Sequence, residues 1–305
     1  MALPVETIER VECPLLLARI GNTPLVPLQS TNPHVQILGK GEWFNPGGSI
    51  KDRPARAIFE TAVAGGKLTR AKALLDATSG NTGIAYAMIG AALGYRVELV
   101  MPQNVSEERK RIVRAFGANL ILTDPLEGMD GAIVRARELA LDKDSYFYAD
   151  QYNNDANWRA HFETTGPEIW QQTRGRVSHL VAGVGTSGTL MGTGRRLKEF
   201  NPAIELVEVQ PSDELQVIEG LKHMDTAIVP GIYEPRLADR RVAVDTDAAY
   251  RETHRAAREE GVFLGLSAGA AIAAARQVAR EIDRGIIVVV LPDGGERYLS
   301  TALWS

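Results

Sequence analysis

The stretch Asn45-Pro46-Gly47-Gly48-Ser49-Ile50-Lys51-Asp52-Arg53 decides how the rest of the sequence is interpreted. A proline and two glycines predict a tight turn, because glycine has no Cβ and lets the backbone take positive φ and approach a ligand closely. A helix is expected to follow, capped by Ser49 or by Asp52, with Pro54 in its first turn. Lys51 therefore falls at a helix N-terminus, where the peptide dipoles disfavour a cation. A neutral amine is a nucleophile, so Lys51 is a candidate for covalent chemistry.

The composition indicates an ordinary globular enzyme of 305 residues, with 45% hydrophobic and 24% charged residues and a net charge of −4. This balance argues against a nucleic-acid binder, which would carry a basic stripe. Cys13 is the single cysteine, so no disulfide can form within the chain, and residues 1–10 have no apolar signal segment. The uncharged stretch at 77–95 opens with polar residues and leaves too short an apolar run to span a membrane. A cytoplasmic location is expected.

Short apolar runs alternate with helical segments along the chain. Strands are predicted at 35–40, 73–77, 96–101, 119–122, 146–148, 179–182, 204–210, 262–264 and 286–291. Helices are predicted at 5–19, 55–65, 84–93, 106–116, 131–141, 166–172, 190–200, 246–260 and 268–282. Such alternation predicts an α/β fold with parallel sheets covered by helices on both faces. Residues 211–238 are irregular and are predicted to form a mobile loop or lid.

Three strand-to-helix loops have ligand-binding chemistry, because ligands of such folds collect at the carboxyl ends of the strands. The loop Thr78-Ser79-Gly80-Asn81-Thr82-Gly83 suits a carboxylate or a phosphate, although an ordinary capping turn explains it equally well. The loop Gly185-Thr186-Ser187-Gly188-Thr189 offers backbone N–H groups and three hydroxyls, which suit a phosphate dianion. The third loop, at 265–270, places Ser267 at a strand end, where a hydroxyl is usually a helix cap.

The second loop also fits a dinucleotide. Gly183, Gly185 and Gly188 have the spacing of the G-x-G-x-x-G fingerprint, and Glu208 lies where an acidic residue would bind the ribose. An NAD-binding dehydrogenase is therefore the alternative from another enzyme class. A binding protein without activity is a further alternative, against which Lys51 argues.

Five stretches in the same order resemble the cysteine synthase family of pyridoxal-phosphate enzymes, and most of all its cysteine synthase B branch. They lie at 20–25, 44–53, 77–83, 164–170 and 295–301 and cover nearly the whole chain. The resemblance implies fold type II, with two domains, each a mainly parallel twisted sheet flanked by helices. The smaller, at 46–158, would bind the substrate carboxylate, and the larger, made of 1–45 and 159–305, would bind the cofactor phosphate.

The resemblance also implies a role for each candidate residue. Lys51 would hold pyridoxal 5'-phosphate as a Schiff base and then act as general base on the substrate Cα proton. Asn81 would bind the ring hydroxyl of the cofactor and Ser267 its pyridine nitrogen. The cofactor phosphate would be bound by Gly185, Thr186, Ser187, Gly188 and Thr189. The substrate carboxylate would be bound by Thr78, Ser79, Asn81, Thr82 and Gln151.

The implied reaction is a β-replacement of cysteine biosynthesis. O-acetylserine would lose acetate to give an aminoacrylate, and sulfide or thiosulfate would add to give L-cysteine or S-sulfocysteine. The alternatives within the cofactor class are a cysteine synthase that uses O-phosphoserine, a cystathionine β-synthase-like enzyme and a serine or threonine dehydratase. The family is typically homodimeric, and a sulfur-carrier protein or a serine acetyltransferase is a possible partner. No metal, nucleic acid or membrane is implied.

Three features depart from the family pattern. Ser187 replaces the middle glycine of the usual Gly-Thr-Gly-Gly-Thr loop, and phosphate binding is expected to survive because a serine still donates hydrogen bonds. Asp293 lies near where many relatives carry a serine beside the pyridine end of the cofactor. Lys222, His223 and Arg236 lie in the irregular segment, and an O-phosphoserine user would need a cation there, although solvated surface charge explains them too.

Overall fold

The structure is a computed structural model that describes residues 15–304. Cys13, residues 1–10 and most of the helix predicted at 5–19 lie outside the described residues. The end of that predicted helix, Leu17–Arg19, is a single 3-10 turn. Within residues 15–304 no helix has the length and apolar content that a bilayer crossing requires.

The larger of two sheets has six strands in the order β1-β2-β10-β7-β8-β9. These are β1 (Leu25–Leu28), β2 (Val35–Gly41), β7 (His179–Gly183), β8 (Glu205–Pro211), β9 (Arg240–Val244) and β10 (Gly285–Leu291). β1 runs antiparallel to β2, and the other neighbours are parallel. The chain therefore leaves this sheet after β2 and returns to it only at β7.

The smaller sheet lies wholly in the interval between those two strands. Its four parallel strands follow the order β5-β4-β3-β6. They are β3 (Ala73–Ala77), β4 (Arg96–Pro102), β5 (Asn119–Thr123) and β6 (Tyr146–Tyr148). The predicted α/β class with two parallel-rich sheets is confirmed, whereas the domain boundaries at 46 and 158 stay a prediction.

Helices cover both faces of each sheet. They are α1 (Asp52–Ala64), α2 (Asn81–Leu93), α3 (Glu107–Ala115), α4 (Gly128–Leu139), α5 (Asp155–Ala160), α6 (Gly166–Gln172), α7 (Gly188–Phe200), α8 (Thr246–Glu260) and α9 (Leu266–Glu281). Successive side chains of a strand point to opposite faces, so Val181 packs with α8 and α9 while Leu180 packs with α6 and α7. In the smaller sheet, Leu74 packs with α1 and α2, and Leu75 packs with α4. Burial on both faces explains why these strands are continuous apolar runs.

One predicted strand is wrong, and two elements were not predicted. Residues 262–264 do not form a strand, because only Leu264 makes a bridge, to Gly294, before α9 begins. The strand β9 was not predicted, because it is an edge strand that starts with two arginines and lacks an apolar run. The helix α5, followed by a π-helical turn at His161–Thr165, was also not predicted.

A buried network of ion pairs fixes the start of α1. The Arg53 guanidinium lies 2.7 Å from a carboxylate oxygen of Glu42 and 2.7 Å from one of Glu168. Lys40 Nζ lies 2.7 Å from the other oxygen of Glu168. Burial alone would raise the pKa of Glu42, but the charge and hydrogen bonds of Arg53 outweigh it and lower that pKa to about 2. The network joins β2, α1 and α6.

We expect Arg53→Met to lower the free energy of unfolding by about 3–5 kcal/mol, because it leaves the Glu42 carboxylate buried without its main partner. The matched control is Arg56→Met on the same helix, where the arginine side chain is 34% exposed and pairs with Glu60. That change is expected to cost less than about 1 kcal/mol. Urea unfolding of both variants measures the difference, and equal losses would contradict the assigned role of the network.

Candidate active site

One cavity of about 470 Å³ brings together nearly all the predicted site residues. It lies at the carboxyl ends of β3, β4, β7, β8 and β10, where ligands of α/β folds bind. Its walls include Lys51, Thr78, Ser79, Asn81, Thr82, Gln151, Gly185, Thr186, Ser187, Thr189 and Ser267. The remaining predicted residue, Gly188, begins α7 immediately behind this wall. Loops from both sheets therefore face the same space.

The lysine turn is fastened to the end of β10. The N–H of Ile50 donates to the carbonyl of Pro292 at 2.8 Å, and Ser49 forms a bridge with Asp293. The predicted caps are wrong, because α1 has no side-chain cap: the Asp52 carboxylate accepts the N–H of Gly47, and the Ser49 hydroxyl accepts that of Lys51.

Lys51 itself lies at the start of α1, half-buried in the cavity wall. Burial lowers the pKa of its amine, and the negative charges of Asp293 and Glu42 oppose that shift. Loss of solvation is thus the largest cause of the lowered pKa. The direction of this pKa shift is the one expected from the sequence, and the nucleophilic role of Lys51 stays a prediction.

The loop after β3 forms one wall of the cavity and leads into α2. Thr78 Oγ1 accepts the N–H groups of Gly80 and Gly83 at 3.1 and 3.2 Å, which closes the loop on itself. Thr82 Oγ1 donates to Gln151 Oε1 at 2.8 Å, and Gln151 Nε2 donates to the carbonyl of Ala77 at 2.8 Å. The first turn of α2 leaves N–H groups without intrahelical acceptors, as a carboxylate site requires.

Residues near the C-terminus surround Asn81, and of these only Asp293 was singled out from the sequence. Asn81 Nδ2 donates to Asp293 Oδ2 at 2.6 Å, and Tyr298 OH donates to the same oxygen at 2.6 Å. Arg297 donates to Asn81 Oδ1 at 2.5 Å, and Arg109 stacks 4.6 Å from the centre of the Tyr298 ring. Residues 295–298, Gly-Glu-Arg-Tyr, belong to one of the five stretches that carry the resemblance. They lie more than 200 residues from Asn81 along the chain, so the sequence alone did not predict their contact with it.

The loop after β7 has the shape of an anion cradle at the N-terminus of α7. A Cβ on Gly185 would lie 2.3 Å from the carbonyl oxygen of Gly220, and one on Gly188 would lie 2.0 Å from Asn157 Oδ1. Only glycine therefore fits at either position. Ser187 takes a left-handed backbone with φ of 68°, and its buried hydroxyl has no hydrogen-bond partner among the described residues. Hydroxyls, backbone N–H groups and a helix N-terminus fit a phosphate.

The cations of the irregular segment separate into two groups. Lys222 and His223 line the cavity, whereas Arg236 is exposed at the surface away from it. Lys222 Nζ lies 3.7 Å from Asp130 Oδ1 and 5.0 Å from the centre of the Tyr152 ring. Burial lowers the pKa of Lys222, and Asp130 opposes that shift. The segment thus crosses the cavity mouth toward the smaller sheet.

Glu208, the proposed ribose ligand of the dehydrogenase alternative, is used elsewhere. It is fully buried, and its oxygens accept hydrogen bonds from Tyr233 OH at 2.9 Å and from Arg241 Nε at 3.0 Å. Gln210 Nε2 donates to it as well. This carboxylate anchors the irregular segment to β8, which does not favour the dehydrogenase alternative.

A family model described as "Pyridoxal-phosphate dependent enzyme" matches residues 16–293. The chain belongs to this family. It is 54% identical over 300 residues to a cysteine synthase of Aquifex aeolicus, with 95% of this chain and 92% of that one aligned. It is 43% identical to cysteine synthase B of Pseudomonas aeruginosa, covering 96% and 98%. The crystal structure of an O-ureido-L-serine synthase matches with a TM-score of 0.89 at 40% identity, covering 95% and 94%. The predicted resemblance is confirmed.

The residues of the cavity fit the cofactor of this family, pyridoxal 5'-phosphate. A buried amine, Lys51, can react with an aldehyde, and the cradle at Gly185 and Ser187 suits a phosphate. Ser267, in the first turn of α9, offers a hydroxyl to a ring nitrogen. Within residues 15–304 no cluster of three or more acidic, histidine or cysteine side chains could hold a metal ion.

The strain at Ser187 is testable in the protein without cofactor. We expect Ser187→Ala to raise the free energy of unfolding by about 1 kcal/mol, because it removes an unpartnered buried hydroxyl. Ser187→Gly should raise it by up to about 1 kcal/mol more, because glycine adopts the left-handed region freely. Urea unfolding of the two variants separates the causes. A loss of stability in both would contradict this account.

Proposed function

We propose that this chain is a cysteine synthase that replaces the acetate of O-acetylserine with sulfur. The observation that carries the proposal is the position of Lys51. Its amine, whose pKa is lowered by burial, lies in the wall of the cavity that also holds the phosphate cradle at 185–189 and the carboxylate loop at 78–83. The named relatives of Aquifex aeolicus and Pseudomonas aeruginosa support the choice of reaction.

In this proposal Lys51 anchors the cofactor and later takes the proton from the substrate Cα. When bound, pyridoxal 5'-phosphate supplies a ring that withdraws electrons from the bond to that proton. Lys51 must be neutral for both tasks, because a protonated amine can neither attack an aldehyde nor accept a proton. Burial lowers the pKa of the amine and so favours the neutral form.

The cofactor phosphate is assigned to the cradle formed by Gly185, Thr186, Ser187, Gly188 and Thr189. Ser267 is assigned to the pyridine nitrogen, where a hydroxyl leaves that nitrogen largely unprotonated. Asn81 is assigned to the ring hydroxyl and to the substrate. Its amide is held from both sides by Asp293 and Arg297, so its orientation is fixed before a ligand arrives.

The substrate carboxylate is assigned to the loop of Thr78, Ser79, Asn81 and Thr82, together with Gln151. The bond between Thr82 and Gln151 supports this assignment, because it ties the loop to the segment that follows β6. A carboxylate bound there would accept hydrogen bonds from the N–H groups at the start of α2, where the helix dipole favours a negative charge.

The charges at the cavity mouth favour the acetyl ester over O-phosphoserine. Lys222 lies beside Asp130, and Arg109 is paired with Glu219. A phosphate leaving group would have to compete with these carboxylates for its cations, whereas a neutral ester would not. We also propose a cytoplasmic homodimer, with a sulfur-carrier protein or a serine acetyltransferase as a possible partner.

Lys51→Ala is expected to abolish the visible absorption of the protein with its cofactor and to lower kcat by at least about 100-fold, because anchor and base are lost together. The matched control is Lys67→Ala, whose lysine is exposed and lies beyond the C-terminal end of α1, outside the cavity wall. After borohydride reduction of the wild type, mass spectrometry should find the pyridoxyl group on Lys51. A label on another lysine would refute the assignment.

A matrix of substrates tests the reaction. Acetate release from O-acetylserine with sulfide or thiosulfate should exceed phosphate release from O-phosphoserine by at least about tenfold in kcat/KM, a difference of about 1.4 kcal/mol. Product identification by mass spectrometry distinguishes cysteine from S-sulfocysteine. Asp130→Asn removes the carboxylate that pairs with Lys222, so it should reduce the preference for O-acetylserine over O-phosphoserine. Faster turnover of O-phosphoserine or serine by the wild type would refute the proposed reaction and favour one of the alternative activities of this cofactor class.

A further inference from the structure

The helix α5 and the π-helical turn after it present two buried polar side chains to the phosphate cradle. Asn157 and His161 are four residues apart, so they lie on one face of this helical segment. Asn157 Nδ2 donates to Thr186 Oγ1 at 3.1 Å, and His161 Nε2 lies 3.4 Å from Thr189 Oγ1. Asn157 is 2% exposed and His161 is 1% exposed. Each threonine hydroxyl of the cradle therefore lies within hydrogen-bond distance of one buried polar side chain.

We propose that Asn157 and His161 are positioning residues that turn the hydroxyl hydrogens of Thr186 and Thr189 toward the phosphate of the cofactor. This inference rests on the proposed role of the cradle. It adds two residues that touch neither substrate nor cofactor and act through the threonines.

The direction of each hydrogen bond follows from counting protons. A phosphate dianion accepts hydrogen bonds only, so each threonine must give it its single O–H. Thr186 Oγ1 already accepts from Asn157 Nδ2 and from the N–H of Gly188 at 3.4 Å, which leaves its hydrogen free. By the same argument Thr189 Oγ1 must accept, so His161 donates from Nε2. His161 Nδ1 then accepts from Thr165 Oγ1, 2.9 Å away.

The surroundings of His161 keep its ring neutral. Burial is the largest cause, and the positive charge of Arg53 acts in the same direction, against the opposing charges of Glu42 and Glu168. Together they lower the pKa of His161 to about 3. A neutral ring has one donor and one acceptor, as the proposed arrangement requires.

The segment that carries Asn157 and His161 packs closely against α7, the helix that follows the cradle. A Cβ on Gly192 of α7 would lie 1.9 Å from the carbonyl oxygen of Trp158 and 2.8 Å from Cβ of His161. The two helices therefore approach as closely as a glycine permits. Asn157 Nδ2 also donates to the carbonyl of Gln151 at 2.7 Å, which ties the proposed phosphate and carboxylate sites to one amide.

The test compares the affinities of the apoprotein for pyridoxal 5'-phosphate and for pyridoxal, which lacks the phosphate. We expect His161→Phe and Asn157→Leu to weaken binding of the phosphate form by about tenfold each, and that of pyridoxal by less than about twofold, since a lost charge-assisted hydrogen bond has about this effect. His161→Gln carries an amide N–H near the position of Nε2 and should restore most of the loss. Arg159→Leu, at an exposed residue of α5, is the control.

Several outcomes overturn the inference. Equal losses for both ligands would show a purely structural role, and a Gln variant as weak as the Phe variant would exclude donation from residue 161. Histidine ¹⁵N NMR of the wild type with cofactor gives an independent reading that needs no variant to fold. It should show the Nε2–H tautomer from pH 5 to 8, and the opposite tautomer would refute the proton count. If the wild type bound pyridoxal as tightly as its phosphate, the proposed cradle would fail as well.

Discussion

The contact on which the site depends is the hydrogen bond from the Ile50 N–H to the carbonyl of Pro292. It joins a turn before α1 to the end of the last strand of the larger sheet, 242 residues further along the chain. Arg297 strengthens the junction by donating to the carbonyl of Gly47. Because the turn is held there, Lys51 meets the carboxyl ends of both sheets instead of bulk water. The lowered pKa of its amine follows from that placement.

The cations in and near the cavity differ from Lys51 in how closely a carboxylate approaches them. Arg53, Arg109 and Lys222 each have a carboxylate within 4.0 Å. Within residues 15–304 no carboxylate lies that close to Lys51 Nζ, and Asp293 and Glu42 act on it only from a greater distance. A close carboxylate favours the charged form, whereas burial without one disfavours it. For Lys222 a carboxylate within 4.0 Å opposes the effect of burial, whereas for Lys51 the opposing carboxylates lie further away.

The sequence predicted the elements that carry strong local signals and missed those that depend on distant contacts. Most of the parallel strands were found because burial on both faces makes them apolar throughout, and the loops at 78–83 and 185–189 because each follows such a strand. The loop at 265–270 was found although residues 262–264, which precede it, do not form a strand. The strand β9 was missed because it is an edge strand, and the roles of Asn157 and His161 because α5 is short and leads into a π-helical turn. The pKa of Lys51 was predicted in the right direction, but its main cause, burial, appears only once the chain is folded.

The two sheets divide the proposed chemistry between them. In our assignment the loop after β3 binds the substrate carboxylate, and the loop after β7 binds the cofactor phosphate. The turn that carries Lys51 is attached to the end of β10, so Lys51 belongs with the sheet whose loop holds the proposed phosphate site. The segment at 211–238 is joined to the smaller sheet's side by Lys222–Asp130 and Arg109–Glu219. Arg109, Glu219 and Lys222 line the cavity, so the leaving group of a substrate bound there would meet their charges.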